Sequence, residues 1–345
     1  MKTICKLIDY AFQNIDQLVS AYDDSNTMRG LNENLNCIVV GRYGIHVTFH
    51  KVNGYKVIFL PTRWDPSAVA DFILYTLMPD VIHMHGNHSW PSYPYYAKRF
   101  VNKCKLIFSP AGSSCGTPEF LDMFDYIIVN HPMQRIRMKT DDLYKILVRH
   151  RAANHEIFYP KYQTMKYDFV YVAGFVPVKQ IPIMIDTFME ATPDKTLVIL
   201  GDFTRTAEHY KSIETYIDRK GIGISVILHD FIPQAEMSNF LGKCGVFVWP
   251  NIRPENPSTT TNRATTEAVA CGMPLLLGAR AFVGTDYVRS GFNGFLYNNP
   301  KDFRFYSDVI FRKIDSFRYN STIVCSNLFD YRRNFIDFYN ELYGK

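Results

Sequence analysis

A run of hydroxyl side chains followed by a single carboxylate is the part of this sequence best suited to bind a ligand. The hydroxyls belong to Ser258 and to the threonines at 259–261, and the carboxylate is that of Glu267. Small hydroxyl residues favour helix N-termini, where unpaired backbone N–H groups and the positive dipole end attract anions. From Thr259 to Glu267 a helix rises by about 12 Å, about the length of a sugar diphosphate joined to a ribose. The spacing predicts phosphates at the helix start and ribose hydroxyls on Glu267.

Two apolar runs flank this segment and predict the strands that must position it. The first run is Val246–Trp249 and the second is Leu275–Gly278. Between them lie a polar loop at 251–262 and an apolar-faced helix that contains Glu267. A strand, a loop, a helix and a returning strand in this order form one unit of a parallel α/β sheet.

Length and composition favour two globular domains. The chain has 345 residues, 47% of them apolar, which exceeds the size at which a single hydrophobic core keeps growing. No apolar run approaches the roughly 18 residues that cross a bilayer. The segment Met1–Asp9 meets charge too soon for a secretory signal. We expect a cytoplasmic protein.

The cysteines and acidic residues do not predict a metal site. The seven cysteines are scattered and none forms a CxxC pair, which favours buried free thiols in a reducing compartment. The acidic pairs Asp23–Asp24 and Asp141–Asp142 stand in polar surroundings and are interpreted as solvated. We therefore expect no metal and no other cofactor.

The charge pattern argues against a dedicated nucleic-acid protein. The net charge is +5, well below that of a typical basic nucleic-acid domain. The densest basic stretch is 135–151, and its basic residues are Arg135, Arg137, Lys139, Lys145, Arg149 and Arg151. We interpret this stretch as a solvated helix face. The alternatives are a site for a phosphate-rich acceptor and peripheral contact with an anionic membrane.

Strand and helix patterns alternate along both halves of the chain and predict two Rossmann-like, doubly wound α/β domains. Strands are expected at 37–40, 46–50, 55–60, 80–85, 105–109, 126–130, 168–174, 196–200, 225–228, 245–249 and 274–277, and helices at 66–77, 93–102 and 182–191. The pair Asn53–Gly54 favours a tight hairpin turn.

The predicted domains are 1–162 and 163–317, followed by a helical segment at 318–345. The boundary is placed where Tyr159–Pro160 interrupts the regular pattern. Apolar residues recur at helical spacing near the end of the chain, at Tyr331, Phe335, Phe338 and Leu342, and predict a helix that packs back on the body. Two such sheets leave a cleft at the carboxyl ends of their strands, where ligands of these folds bind.

An ordered series of short motifs runs through the second half. The motifs are Val172-Ala-Gly-Phe-Val-Pro-Val-Lys179, Leu197-Val-Ile-Leu-Gly-Asp202, Val246-Phe-Val-Trp-Pro250, Glu267-Ala-Val-Ala-Cys-Gly-Met-Pro274 and Gly291-Phe-Asn-Gly-Phe-Leu296. Together with Asp80-Val-Ile-His-Met-His85 in the first half, the series resembles the GT-B retaining glycosyltransferases, specifically glycosyltransferase family 4. The first motif is one residue shorter than the Gly-Arg-Leu-x-x-x-Lys-Gly turn of that family.

The resemblance implies a nucleotide-sugar donor in the cleft, with an acceptor-side first domain and a donor-binding second domain. It places Lys179, in the turn that contains Gly174, on the donor diphosphate as a catalytic residue, and Glu267 on the ribose hydroxyls. The base is expected against 229–232, which includes His229 and Phe231. The phosphates are expected on 259–262, whose residues are Thr259, Thr260, Thr261 and Asn262.

Two histidines of the first domain are further candidates. Because alternate residues of a strand share a face, His83 and His85 should point the same way. The resemblance implies that the second histidine faces the cleft, and His85 is the candidate catalytic residue. Either ring could bond a hydroxyl of the donor sugar, and a purely structural histidine is the alternative.

Three positions depart from the family pattern. Phe175 replaces an arginine beside the diphosphate, Ala111 replaces a histidine, and Thr259 replaces the first glutamate of the E-x7-E motif. From the neighbouring loop, Glu255 could supply the lost catalytic carboxylate and Arg253 could lie over the sugar or phosphates. The alternative for both is an exposed loop without a role.

We interpret the chain as a metal-independent retaining glycosyltransferase that moves a hexose from a UDP- or GDP-sugar to an unidentified glycan, lipid or other acceptor. GDP-mannose and UDP-glucose are both common donors in the resembled family. One alternative is a pseudoenzyme that binds a nucleotide sugar without turning it over. A DNA-modifying glucosyltransferase is another, and its acceptor groove would require a basic lining. A dehydrogenase is disfavoured because no GxGxxG motif follows a predicted strand.

Overall fold

The computed structural model describes most of the chain in two units. The described residues are 2–11, 35–52, 55–86, 90–110, 116–130, 132–138, 140, 142–150, 153–203, 207–251, 263–280, 284–328, 330 and 332–344. One unit comprises Met1–His150 with Tyr331–Lys345, and the other comprises Arg151–Asp330.

The first unit is built on an eight-stranded sheet in the order β3-β4-β2-β1-β5-β6-β7-β8. Its strands are β1 (Thr3–Ala11), β2 (Asn36–Arg42), β3 (Thr48–Val52), β4 (Tyr55–Leu60), β5 (Val81–Gly86), β6 (Lys105–Pro110), β7 (Tyr126–Val129) and β8 (Ile146–Val148). All neighbours pair in parallel except β3 and β4. Val52 pairs with Tyr55 in that antiparallel ladder, which confirms the predicted hairpin, although Asn53 and Gly54 lie outside the described residues.

Short helices cover the first sheet. They are α1 (Pro66–Asp71), which continues as a π-helix at Phe72–Leu77, α2 (Ser92–Phe100), α3 (Pro118–Leu121) and α4 (Pro132–Arg137). The side chain of Asp65 accepts from the Ala68 N–H at 2.9 Å and caps α1, as expected for a carboxylate before a helical proline. The apolar faces of α1 and α2 bury Val69, Ala70, Tyr96 and Phe100 against the sheet.

The second unit is built on a six-stranded, fully parallel sheet in the order β11-β10-β9-β12-β13-β14. Its strands are β9 (Tyr167–Val172), β10 (Leu197–Leu200), β11 (Val226–His229), β12 (Cys244–Trp249), β13 (Leu275–Gly278) and β14 (Gly294–Tyr297). The chain runs outward from β9 to β11 and then returns to place β12 on the other side of β9. This reversal makes the carboxyl ends of β9 and β12 the switch point of the sheet.

Helices on the second unit connect and cover these strands. They are α5 (Ile181–Ala191), α6 (Ala207–Lys220), α7 (Met237–Leu241), α8 (Arg263–Ala270), α9 (Gly284–Tyr287), α10 (Pro300–Arg312) and α11 (Ile314–Leu328). Every residue of the inner strands β10, β12 and β13 is buried, which is the pattern of a parallel sheet covered on both faces.

The observed division of the chain differs from the predicted one at both ends of the second unit. Residues 153–166 belong to that unit, because Phe158 is buried in its core and the hydroxyl of Ser238 donates to the Ile157 carbonyl at 2.6 Å. Helix α11 also packs there, with the hydroxyl of Ser321 donating to the Met273 carbonyl at 2.7 Å. Tyr159–Pro160 interrupts the sequence pattern without separating the units.

The last part of the described chain returns to the first unit. A π-helix at Arg332–Asp337 leads into α12 (Phe338–Gly344), whose Tyr343 hydroxyl lies 2.8 Å from Nδ1 of the buried His83. Nε2 of His83 lies 2.7 Å from the hydroxyl of Ser109. The predicted terminal segment is helical, but its parts pack on different units rather than as one helix.

The basic stretch 135–151 is not a single solvated helix face, so that interpretation is wrong. Lys145 and Arg149 are each about nine-tenths buried. The ammonium of Lys145 lies 3.1 Å from an Asp122 carboxylate oxygen, and the guanidinium of Arg149 donates to the Asn130 side chain at 3.0 Å. Burial of a charge requires such partners, and here they link the residues that flank β8 to the end of α3 and to Asn130, which follows β7. Within the described part of the chain, no helix is long and apolar enough to cross a membrane.

Six cysteines in the described residues are free thiols, as predicted, and all but Cys104 are fully buried. Burial raises the pKa of Cys37, Cys104, Cys271 and Cys325 from 9.0 to about 12. Above pH 9 the unfolded chain loses protons that the folded chain keeps, so the free energy of unfolding should fall as the pH rises towards 12.

Urea unfolding followed from about pH 8 to about pH 11 would measure this decline. The variant Cys325→Ala should show a slope shallower by up to about 1.4 kcal/mol per pH unit between its two pKa values. Equal slopes for the variant and the parent protein would contradict the assignment of the decline to buried thiols.

Candidate functional site

The switch point of the second sheet brings a basic turn next to an aromatic strand end. The turn follows β9 and contains Gly174 and Lys179, the latter at the end of a 3₁₀ turn at Pro177–Lys179. The strand end is Trp249, the last residue of β12. Since β9 and β12 are neighbours in the sheet, their carboxyl ends meet where open α/β folds bind ligands.

Gly174 leaves this turn open to a ligand. The residue is exposed, and a Cβ built on it would have no atom within 4 Å. Its carbonyl accepts from the Val176 N–H at 2.8 Å, which folds the turn back towards Lys179. The backbone here is therefore accessible to a bound group.

Both the backbone and the ammonium group of Lys179 make defined contacts. Its backbone carbonyl accepts a hydrogen bond of 2.7 Å from the hydroxyl of Tyr171, and its ammonium lies 5.1 Å from the centroid of the Trp249 ring. An ammonium within about 6 Å of an aromatic face is attracted to it. The half-buried lysine thus has a defined place at the switch point.

Trp249 is itself held firmly. It is 1% exposed, meets the ring of Tyr171 edge-on at 5.1 Å and accepts on its carbonyl from the hydroxyl of Tyr297 at 3.0 Å. Burial keeps both phenols neutral by raising the pKa of Tyr171 and of Tyr297 well above 10. They act here as hydrogen-bond donors.

Asn251, the last described residue before a gap at 252–262, is held by two side-chain hydrogen bonds. The Asn251 side chain donates to the Asn298 carbonyl at 2.8 Å and accepts from the Arg280 N–H at 2.9 Å. Gly278 makes this possible, because a Cβ there would lie 2.2 Å from the α-carbon of Asn251. The predicted loop residues Arg253, Glu255, Thr259, Thr260, Thr261 and Asn262 lie outside the described residues, so their roles stay predictions.

The next described element is α8, which contains Glu267. This glutamate is 9% exposed, and one of its carboxylate oxygens accepts from Nε of Arg263 at 2.8 Å. A carboxylate offers about four acceptor positions, so this bond does not saturate it. Arg263 is the first residue of α8 and adds a second cation to the candidate site. Sequence reasoning did not identify this residue.

The carboxyl end of β11 presents the residues predicted to meet a base. Nδ1 of His229 lies 2.8 Å from the Asp230 carbonyl, and the ring packs on Phe240 at 4.9 Å. The Phe231 side chain is 57% exposed, while its N–H donates to the Asp230 carboxylate at 2.7 Å. The structure places these residues on the same edge of the sheet as Lys179.

Phe175 points into the core. It is fully buried and packs its ring edge-on against Phe203 and Tyr210 at 5.4 Å and 5.3 Å. Gly201 permits this packing, since a Cβ there would lie 2.8 Å from the Phe175 ring. The side chain at this position is therefore structural. Ala111, another departure from the family pattern, lies outside the described residues.

The two histidines of the first unit have different surroundings. Both ring nitrogens of His83 are engaged, by Tyr343 and Ser109, which supports the structural alternative for this residue. His85 is half-buried at the end of β5, and its carbonyl accepts from the Tyr93 hydroxyl at 2.6 Å. His85 thus remains the candidate of the pair. Across the described ranges, no three His, Cys, Asp or Glu side chains converge as a metal site.

The sequence of the second unit is similar to that of a known protein family. Residues 156–310 match the model of the family Glycosyl transferases group 1. This stretch of the second unit is therefore similar to group 1 glycosyltransferases. The matched stretch includes Lys179, Trp249 and Glu267, and it confirms the prediction of a glycosyltransferase. Assignment to glycosyltransferase family 4 stays a prediction.

Solved structures confirm the fold. HepE of Anabaena in complex with UDP and glucose is similar with a TM-score of 0.76 at 13% identity, over 100% of both chains. Sucrose-phosphate synthase of Thermosynechococcus elongatus is similar with a TM-score of 0.76 at 15% identity, also over 100% of both chains. A glycosyltransferase of Rickettsia africae is similar with a TM-score of 0.75 at 12% identity, over 99% of this chain and 97% of the other. The two parallel-sheet, Rossmann-like domains of this chain thus have the fold of GT-B structures. No curated protein sequence matches the chain.

Proposed function

We propose that the protein transfers a hexose from a UDP- or GDP-sugar to an acceptor with retention of anomeric configuration. The supporting observation is the placement of the Lys179 ammonium on Trp249 at the switch point. The helix with Glu267 follows the same strand, β12. Diphosphate and ribose would therefore bind to elements that leave the two central strands of one sheet.

The charge of this site suits a departing nucleoside diphosphate. Negative charge develops on the leaving phosphate oxygens as the bond to the sugar breaks, and a positioned ammonium stabilises it. Lys179 takes this role in the proposal, which needs no metal ion. His85 and Glu255 are proposed to contact the transferred sugar, and Arg253 with the amides of 259–262 is proposed to hold the phosphates.

The acceptor is proposed to be a glycan or a lipid-linked molecule. Around 135–151 the exposed side chains include Arg135, Ile136 and Tyr144, a mixture of basic and apolar groups suited to a membrane surface. Peripheral membrane contact through this stretch, and a cytoplasmic location, stay predictions.

Uridine nucleotides are the first donors to test, because HepE of Anabaena has been solved with UDP-glucose. A thermal-shift panel of UDP, GDP, ADP and their sugars should show one base raising the melting temperature. A ligand at 100 times its dissociation constant stabilises by about 2.7 kcal/mol, which for a domain of this size is a shift of about 5–10 °C. A flat response to every nucleotide would refute the proposal.

A pseudoenzyme is the second candidate, and the position of Phe175 favours it. A phenylalanine stands here in place of the arginine of the resembled family, and its ring packs in the core. The diphosphate therefore has no guanidinium from this position. A nucleotide sugar would then stabilise the protein while neither hydrolysis nor transfer is detected. Release of nucleoside diphosphate from the stabilising donor would exclude this candidate.

A further inference from the structure

The ring of Trp249 forms a rigid platform beneath the Lys179 ammonium. The indole is 1% exposed and is wedged edge-on against Tyr171, while Tyr297 holds its backbone carbonyl. Tyr171 also holds the backbone carbonyl of Lys179. One tyrosine therefore ties the platform and the lysine together.

Hydrogen bonding does not explain a tryptophan at this position. Its Nε1 is buried and has no hydrogen-bond partner among the described residues, although a buried indole N–H usually has one. Leucine or valine would fill a strand end in a parallel sheet without leaving a donor unpaired. What the indole supplies is a broad ring face, and the Lys179 ammonium lies 5.1 Å from its centroid.

We propose that Trp249 is a positioning residue for diphosphate binding, whose ring face orders the Lys179 ammonium before the ligand arrives. This inference rests on the proposed function. A lysine side chain is long and flexible, so ordering it on binding costs free energy that a pre-existing contact removes. The need is greater here because the side chain of Phe175 points into the core, and placement of the diphosphate depends more heavily on Lys179.

The test compares a nucleoside diphosphate with its nucleoside by isothermal titration, using UDP with uridine or GDP with guanosine as the thermal-shift panel selects. Trp249→Leu should weaken diphosphate binding by about 3- to 30-fold and leave nucleoside binding unchanged. Trp249→Phe, which retains a ring face, should recover most of the loss. In a Lys179→Ala background, Trp249→Leu should have no further effect.

A matched control exists at the opposite end of β9. There the Lys166 ammonium lies 5.0 Å from the ring of Tyr167, so Tyr167→Leu also removes a ring from beneath a lysine. This variant should not change the ratio of the two affinities. If Trp249→Leu does not fold, as judged by circular dichroism, Trp249→Phe provides the test with an expected loss of about two- to threefold.

The outcomes separate the two proposals. If Lys179→Ala binds the diphosphate as well as the parent protein does, the proposed function fails, and the inference fails with it. If Lys179→Ala weakens binding but Trp249→Leu does not, the inference alone is refuted. Equal losses of nucleoside and diphosphate affinity, or losses that multiply in the double variant, would also refute it.

Discussion

Lys179→Ala is expected to reduce the rate of glycosyl transfer by about 100- to 1,000-fold, the usual effect of removing one preorganised charge-stabilising group. The loss arises because negative charge on the leaving diphosphate would no longer meet an ammonium. The fold should persist, because the Tyr171 hydroxyl bonds the backbone carbonyl of Lys179, which alanine retains. Initial rates at saturating donor, with a melting curve for each variant, would measure both effects.

Lys166→Ala is the matched control for this experiment. It too removes a lysine from an aromatic face, but at the amino end of β9, away from the switch point. Its rate should equal that of the parent protein. A Lys179→Ala enzyme with normal turnover would rule out the diphosphate role of Lys179.

Glu267→Gln should weaken nucleotide binding by about 10- to 150-fold, since a hydrogen bond to a charged group contributes about 1.5–3 kcal/mol. Glutamine has nearly the same size but lacks the charge that strengthens bonds from ribose hydroxyls. The ligand pair UDP and 2′-deoxy-UDP makes the test specific, or the guanosine pair if the panel selects it. The parent protein should prefer the ribose form, and the variant should lose most of that preference.

The ion pair with Arg263 requires its own control, because it could act only on the stability of α8. Arg263→Gln removes the pair and keeps the carboxylate, so it should retain the preference for ribose. In this pair the arginine precedes the glutamate along the helix, and this order argues against a role that is limited to stabilising α8. An arginine at the helix start opposes the dipole, and the reverse order at this spacing is the more favourable one. Undiminished ribose preference in Glu267→Gln would disprove the ribose assignment.

Regular patterns predicted most of the strands. Apolar runs such as Tyr55–Leu60 and Val246–Trp249 correspond to observed strands, because residues buried on both faces leave a continuous signal. The first strand, β1, was missed. Its Lys6 is 1% exposed, and a lysine at a buried strand position makes the sequence resemble a solvated segment.

Only the residues of the candidate site that stand within a local sequence motif could be predicted. Lys179 and Glu267 each stand in a local motif of the resembled family. The contact between Lys179 and Trp249 depends on β12 returning beside β9, which local spacing does not encode. Arg263 could have been found from its spacing four residues before Glu267, which places both on one helix face.

The return of α12 to the first unit means that the second unit is an insertion within the first. Residues 151–330 form a continuous segment, so during synthesis this unit can complete its core before the first unit has all of its parts. Nδ1 of His83 can contact the Tyr343 hydroxyl only when Tyr343 has left the ribosome. The first unit therefore lacks α12 until the second unit has been synthesised, and a circular permutant that joins the two pieces of the first unit would remove that dependence.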